Sequence, residues 1–222
     1  SQGDRQFLDA EVTGDDQAAI FFTSGAAGKH KAVPLTHRNL VSNVIQLSSV
    51  IGMGEEDTVF SVIPPNNVYQ CNMGLLLPLY RGAEVANSEG SDRLRSNLED
   101  VKPTILLAEP VMIRELYDIT RSHAEDNAGL IPFRSRRMVS RATKFVGIDL
   151  LHGVAKNARK RLGGRMRLMI SGGGALDQEI VSFFDLMGIA VAQGYGMTEA
   201  SSAVAAGPDQ VKLQKPNAAG YL

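Results

Sequence analysis

Met166-Arg167-Leu168-Met169-Ile170-Ser171-Gly172-Gly173-Gly174-Ala175, then Asp177 to Met187, then Ile189-Ala190-Val191-Ala192-Gln193-Gly194-Tyr195-Gly196-Met197-Thr198-Glu199, carries most of what the chain says about itself. Met166 to Ile170 and Ile189 to Gln193 are short apolar runs that read as buried strands, and Asp177 to Met187 has the length and spacing of a helix. Each run ends in glycine. A strand, helix, strand unit with short connections predicts an α/β fold with parallel strands covered by helices. In open sheets of that kind, ligands sit outside the carboxyl ends of the strands, which is where both glycine clusters fall.

The same alternation extends upstream. Ala18 to Phe22 reads as a buried strand, followed by a Gly and Ser loop and a short strand through Val33 and Leu35. Thr36 is placed to cap a helix from about His37 to Ile51, whose Leu40, Val44, Leu47 and Ile51 share one face. Further strands are expected over Thr58 to Ile63, Ala83 to Ala86 and Thr104 to Ala108. Helices are expected over Val68 to Tyr80 and Ser91 to Val101, and Pro110 suits a helix's first turn.

Residues 133 to 161 break the pattern with nine cations: Arg134, Arg136, Arg137, Arg141, Lys144, Lys156, Arg159, Lys160 and Arg161. They read as the solvated side of a helix with an apolar stripe of Val139, Phe145, Ile148 and Leu151. A basic docking face for coenzyme A, a membrane surface or RNA is the alternative.

Composition narrows the classes. The 222 residues are 44% hydrophobic and 21% charged, enough to bury a core, and the formal net charge of -1 gives no field that favours nucleic acid. A single cysteine, Cys71, excludes an internal disulfide framework and suits a cytoplasmic setting. No run approaches the roughly 18 apolar residues of a spanning helix, so at most peripheral membrane contact is expected. The chain opens at Ser1-Gln2-Gly3-Asp4 and closes at Gly220-Tyr221-Leu222, and both ends read as cuts within a longer protein.

The loop Thr23-Ser24-Gly25-Ala26-Ala27-Gly28-Lys29-His30-Lys31 combines hydroxyls, glycines and lysines after a strand. Glycines let successive N–H groups point at an anion, and a lysine adds a mobile cation. Two residues separate Gly25 from Gly28 and His30 follows Lys29, so it is no Walker A loop. Ser24 lacks the setting of a nucleophile elbow. Downstream, Tyr195 offers a ring for stacking a base, Thr198 a hydroxyl for phosphate, and Glu199 a hard oxygen ligand for Mg²⁺. Asp177 stands where a dinucleotide fingerprint needs its third glycine, which argues against an NAD enzyme.

Together these segments resemble the adenylate-forming (AMP-binding) superfamily of acyl- and aryl-CoA synthetases, peptide synthetases and luciferases. Its phosphate loop, Thr-Ser-Gly-Thr-Thr-Gly-x-Pro-Lys-Gly and then Thr-His, is matched by Thr23 to Ala32 with Thr36-His37. Its Gly-Gly-Ala segment is matched by Gly173-Gly174-Ala175, and its Tyr-Gly-x-Thr-Glu motif is complete at Tyr195 to Glu199. Ile63 to Tyr69 and Leu77 to Ala83 are most like the long-chain fatty acyl-CoA synthetase branch. The resemblance implies the middle of the large N-terminal domain, as two subdomains (roughly 1-35 with 110-222, and 36-109), without the mobile C-terminal domain.

It further implies an ATP-dependent ligase that adenylates a carboxylic acid, a fatty acid by branch, and transfers it to coenzyme A. Thr23, Ser24, Gly25, Gly28 and Lys31 would hold the phosphates, and Gly173, Gly174, Ala175, Tyr195 and Gly196 the nucleotide. Asn67 and Gly194 would line the acid pocket, Thr198 would touch phosphate, and Glu199 would bind Mg²⁺; Lys31, Thr198 and Glu199 form the catalytic set. Four departures stand against this. Ala26 and Ala27 replace two hydroxyl residues, His30 a proline, Ala32 a glycine, and Asn67 a histidine. Hydrogen bonds to charged groups contribute about 1.5–3 kcal/mol each, so the loop is weakened, and a degenerate relative kept for binding or assembly is the alternative. The family's ribose-binding Asp and C-terminal Lys have no counterpart within the chain.

Overall fold

The computed structural model describes residues 10–24, 30–126 and 159–207. Its centre is a six-stranded sheet built from β3 (Thr58–Ser61), β4 (Glu84–Asn87), β5 (Ile105–Ala108), β6 (Leu168–Ser171), β7 (Ala190–Met197) and β8 (Ser202–Ala206). The spatial order is β4-β3-β5-β6-β7-β8. The first five strands are parallel, and β8 returns antiparallel to β7. A separate antiparallel hairpin joins β1 (Gln17–Ser24) and β2 (His30–Thr36).

Each strand's alternation sends its side chains into two cores. In β5, Leu106 and Ala108 pack with Phe60, Met169 and Val191 under α3 (Leu94–Val101), α4 (Pro110–Asp126) and α5 (Gln178–Leu186). Ile105 and Leu107 face the other way, onto Val44 and Leu47 of α1 (His37–Val50) and onto Met73 and Leu77. Strands β3, β5 and β6 are buried at every position, as expected for parallel strands covered on both faces. The unbroken apolar runs in the sequence have that cause.

Thr36 caps α1 as its position predicts: its hydroxyl accepts from the Asn39 N–H at 3.2 Å, while Asn39 Oδ1 accepts from the Thr36 N–H at 3.0 Å. Leu40, Val44, Leu47 and Ile51 are all buried. Pro110 opens α4.

Three expectations are corrected. Ala18 to Phe22 is a strand but not a buried one: Phe21 packs on Leu35, Leu40 and Val68, while Ile20 and Phe22 are exposed. A two-stranded hairpin packed on one side buries only alternate residues. The helix expected over Val68 to Tyr80 contains a π-turn, Gln70–Leu76, before α2 (Leu77–Arg81). Its wider turn carries Gln70, Asn72 and Met73 inward together. Strand β7 runs on to Met197 rather than stopping at Gln193, because pairing with β8 keeps Gly194 to Met197 extended. The basic stretch falls mainly outside the described residues. Within them, Arg159 is a tie, donating to the carbonyls of Met166 and Met187 at 2.9 and 2.8 Å.

Candidate active site

Beyond the carboxyl ends of β6 and β7 lies a cavity of about 150 Å³. Asn67, Gly173, Gly194, Tyr195, Gly196 and Thr198 all line it, so six residues singled out in the sequence meet at one place. Its inner wall is apolar, with Leu47 and Ile51 from the α1 side, Met73 from the π-turn, and Ile170, Ala192 and Ala206 from the sheet. Gly174 and Ala175 are exposed on the same loop as Gly173. That loop is fixed from below, where the Leu176 N–H donates to Gln193 Oε1 at 3.1 Å.

Two glycines are fixed by close approach. A Cβ on Gly172 would sit 2.7 Å from the Tyr69 ring, and one on Gly196 only 1.5 Å from the Ser202 carbonyl oxygen. The first contact packs Tyr69 flat against the β6 terminus, with its hydroxyl donating to the Ile170 carbonyl at 3.1 Å. Burial, reinforced by the nearby Glu109 carboxylate, pushes the Tyr69 phenol far above its ordinary range. It therefore stays a neutral donor at any working pH.

The second contact seats the end of the Tyr195–Glu199 motif against β8. Thr198–Ala200 forms a 3₁₀ turn, followed by Ser201 and Ser202 at φ 60° and 97°. Such values strain non-glycine residues, and two buried asparagines hold them. Asn72 donates to the Ser201 carbonyl and, at 3.0 Å, to Asn43 Oδ1. Asn43 in turn donates to the Ala203 carbonyl at 2.7 Å. Tyr195 is left exposed at the rim, and Glu199 is exposed just beyond it in the chain.

The hairpin places the other predicted residues. Thr23 pairs with Lys31 and Ser24 with His30, Lys31 is exposed, and β2 packs against the Thr198–Ala200 turn. Gly25 and Gly28 lie outside the described residues.

Sequence reasoning missed Tyr69 and Glu109 as cavity walls, the constraint on Gly172, and the Asn43–Asn72 pair. Asn43 left a signal, since it is polar on the same face of α1 as Leu40 and Leu47. Among the described residues no three carboxylate, imidazole or thiol groups converge on a metal position. Mg²⁺ commonly takes one or two carboxylates and completes its shell with water and phosphate; among the described carboxylates here, Glu109 lines the cavity and Glu199 is exposed one residue beyond Thr198.

A mostly parallel α/β sheet with glycine loops at its carboxyl edge belongs to the class of α/β proteins that bind ligands at that edge. Comparison with known proteins makes that specific: the AMP-binding enzyme family profile matches residues 2–222, and the chain belongs to that family. It is 31% identical over 208 residues to the peroxisomal long chain acyl-CoA synthetase 6 of Arabidopsis thaliana, covering 88% of this chain and 29% of that protein. It is 27% identical over 205 residues to human long-chain-fatty-acid–CoA ligase 1, covering 85% and 28%. The chain thus spans under a third of the length of these relatives.

Solved structures agree on the fold. The anthranilate CoA ligase AuaEII in complex with anthranoyl-AMP superposes with a TM-score of 0.68 at 21% identity, over 95% of this chain and 34% of that one. The N-terminal domain of FACL13 from Mycobacterium tuberculosis gives 0.67 at 20% identity, over 95% and 44%. No helix among the described residues is long and apolar enough to cross a membrane.

Proposed function

We propose that the protein carrying this chain adenylates a carboxylic acid of the fatty-acid kind with ATP and hands the acyl group to the thiol of coenzyme A. One observation supports this above others: an apolar cavity opens directly beside Tyr195 to Thr198, so an uncharged acid body and a nucleotide would meet at one edge. In the first step a carboxylate oxygen attacks the α-phosphorus of ATP, and the bond to pyrophosphate breaks. In the second, a thiol attacks the acyl carbonyl and AMP leaves. Both need alignment and charge neutralisation more than a protein nucleophile.

The family resemblance suggests the role of each residue. Tyr195, exposed at the rim, stacks on the adenine, and Gly173, Gly174, Ala175 and Gly196 admit the nucleotide closely. Thr23, Ser24 and Lys31, on the hairpin whose second strand touches the Thr198 turn, hold the phosphates together with Gly25 and Gly28. Thr198 hydrogen-bonds phosphate, while Asn67 and Gly194 border the acid. Glu199 would hold Mg²⁺, which supplies charge neutralisation on the phosphates when bound.

The alternative, a degenerate relative kept for binding, rests on Ala26 and Ala27 in the phosphate loop. ATP–pyrophosphate exchange on the full-length natural protein separates the two. Acid-dependent exchange that falls at least about tenfold in both Tyr195→Ala and Lys31→Ala supports the ligase. No exchange with any acid, even after Ala26→Thr and Ala27→Thr, would show that the site no longer adenylates.

A further inference from the structure

The π-turn Gln70–Leu76 stands between several parts of the site. On one side Tyr69, just before it, and Met73 line the cavity described above, together with Thr198, Ser202 and Ala203. On the other, Gln70, Cys71, Gly74 and Leu75 line a larger cavity of about 540 Å³ at the carboxyl ends of β3 and β4. With a cavity on each side, the turn depends on its hydrogen bonds more than on packing. Short π elements within helices occur mostly at functional sites.

Asn72 carries the bonds that lead out of this turn toward the Tyr195–Glu199 motif. Its side chain is fully buried, and its amide nitrogen donates twice, to Asn43 Oδ1 at 3.0 Å and to the Ser201 carbonyl. Its Oδ1 accepts from nothing among the described residues. An amide buried only to fill the core would have its acceptor satisfied as well, so Asn72 is placed for its donors. They hold a strained segment, Ser201 and Ser202 at φ 60° and 97°, directly after the Thr198–Ala200 turn.

We propose that Asn72 is a positioning residue that couples the two substrates, so that acid in the cavity tightens nucleotide at the Thr198 turn, and the reverse; the proposal rests on the adenylation reading above. An acid body seated against Tyr69 and Met73 fixes the turn that carries Asn72. The Asn72 donor then stays on the Ser201 carbonyl, and the strained serines keep Thr198 where it meets phosphate. With the cavity empty, the nucleotide must order that segment by itself. Whichever ligand binds second finds the ordering done, which raises its affinity with no contact between the two. Such coupling is reciprocal, because its free energy belongs to the pair.

The test is calorimetry on the full-length natural protein with the Mg²⁺ complex of α,β-methylene-ATP, which cannot release pyrophosphate. The nucleotide is titrated alone and with saturating hexadecanoate, whose own binding is titrated separately. We expect the acid to tighten the nucleotide at least about fivefold, and Asn72→Ala to bring that ratio to within about twofold of one. A side chain needed only for folding would weaken both titrations together and leave the ratio unchanged. Gln70→Ala removes another buried amide of the same turn, one bonded to Ser61 and Asn87 and not to Ser201. It should keep the ratio of the unmodified protein.

Hydrogen exchange on the unmodified protein stands on its own should Asn72→Ala fold poorly. Hexadecanoate alone should slow exchange of the Ser201 and Ala203 amides. An unaltered ratio in Asn72→Ala, an equal loss in Gln70→Ala, or bound acid that changes neither the ratio nor the exchange would overturn the coupling while leaving adenylation intact. Failure of the unmodified protein to bind either the nucleotide or hexadecanoate would instead overturn the reading as a fatty-acid adenylating enzyme, and the proposal with it.

Discussion

The two ends of the parallel sheet are built on opposite terms. At the amino end Asp57, 1% exposed, accepts from Arg167 Nε and Nη2 at 2.9 and 2.6 Å, from the Thr104 hydroxyl at 2.7 Å and from the Gly54 N–H at 3.1 Å. Thr104 also accepts from the Thr58 N–H, so three strand starts are tied through one carboxylate. At the carboxyl end, Ser171 Oγ and Asn72 Oδ1 are buried with no hydrogen-bond partner among the described residues. There, too, Ser201 and Ser202 sit at strained φ values. A fully satisfied network fixes strand register, whereas a strained, glycine-lined edge leaves room for a ligand. The contrast separates what holds this molecule together from what it uses.

The sharpest way to break that separation is Asp57→Ala. Removing one partner of a buried ion pair costs about 3–5 kcal/mol, and urea denaturation should show a loss near the lower bound because Arg167 is partly exposed. Nucleotide binding by the protein that stays folded should be unaltered; a parallel loss of binding would tie the two ends together. Gly196→Ala should do the reverse. Its Cβ collides with backbone, so the Tyr195 to Glu199 segment must shift. A shift of about 1 Å is enough for roughly a hundredfold loss of adenylation, against about 1–3 kcal/mol of stability. Asn72→Ala should fall between, since it strips the Ser201 carbonyl of its side-chain donor, at about 1–3 kcal/mol for the group left unpaired, while Asn43 Oδ1 still accepts from the Ala203 N–H at 3.4 Å. Because that donor holds the Thr198–Glu199 turn, its KM for Mg·ATP should rise more than its kcat falls. Equal effects on both would make it a core residue only.

The two ends also differed in how far the sequence disclosed them. Strands β3, β5 and β6 were legible because burial on both faces leaves unbroken apolar runs. The Thr36 cap and Pro110 were legible because helix starts demand particular residues. The glycine and Tyr195–Glu199 clusters were legible through chemistry that recurs across a family. What escaped was tertiary. Strand β8 reads as a featureless Ser and Ala run, and it is a strand only because β7 pairs with it. The π-turn leaves no composition of its own. Asp57, Thr104 and Arg167 lie 47 and 110 positions from one another's partners along the chain, and each is an ordinary exposed-type residue in isolation. Only the fold makes a latch of them.

That latch has a pH signature, which is the smallest effect and the most specific. Burial by itself raises the Asp57 carboxyl, but the hydrogen bonds from Arg167, Thr104 and Gly54, with the Arg167 charge, more than offset this and bring it below its ordinary 3.8. A carboxylate depressed in the folded state stabilises the fold fully above its unfolded pKa, and that contribution is lost as pH falls through the folded value. The stability gap between the unmodified protein and Asp57→Asn should therefore be constant near neutrality and narrow only below about pH 3.8. Urea midpoints taken at pH 7, 5 and 3 measure it directly. A gap that closes already between pH 7 and 5 would mean that the carboxylate is raised rather than lowered, so that burial outweighs the latch at the amino end as well. The two ends of the sheet would then differ in geometry but not in how well they satisfy what they bury.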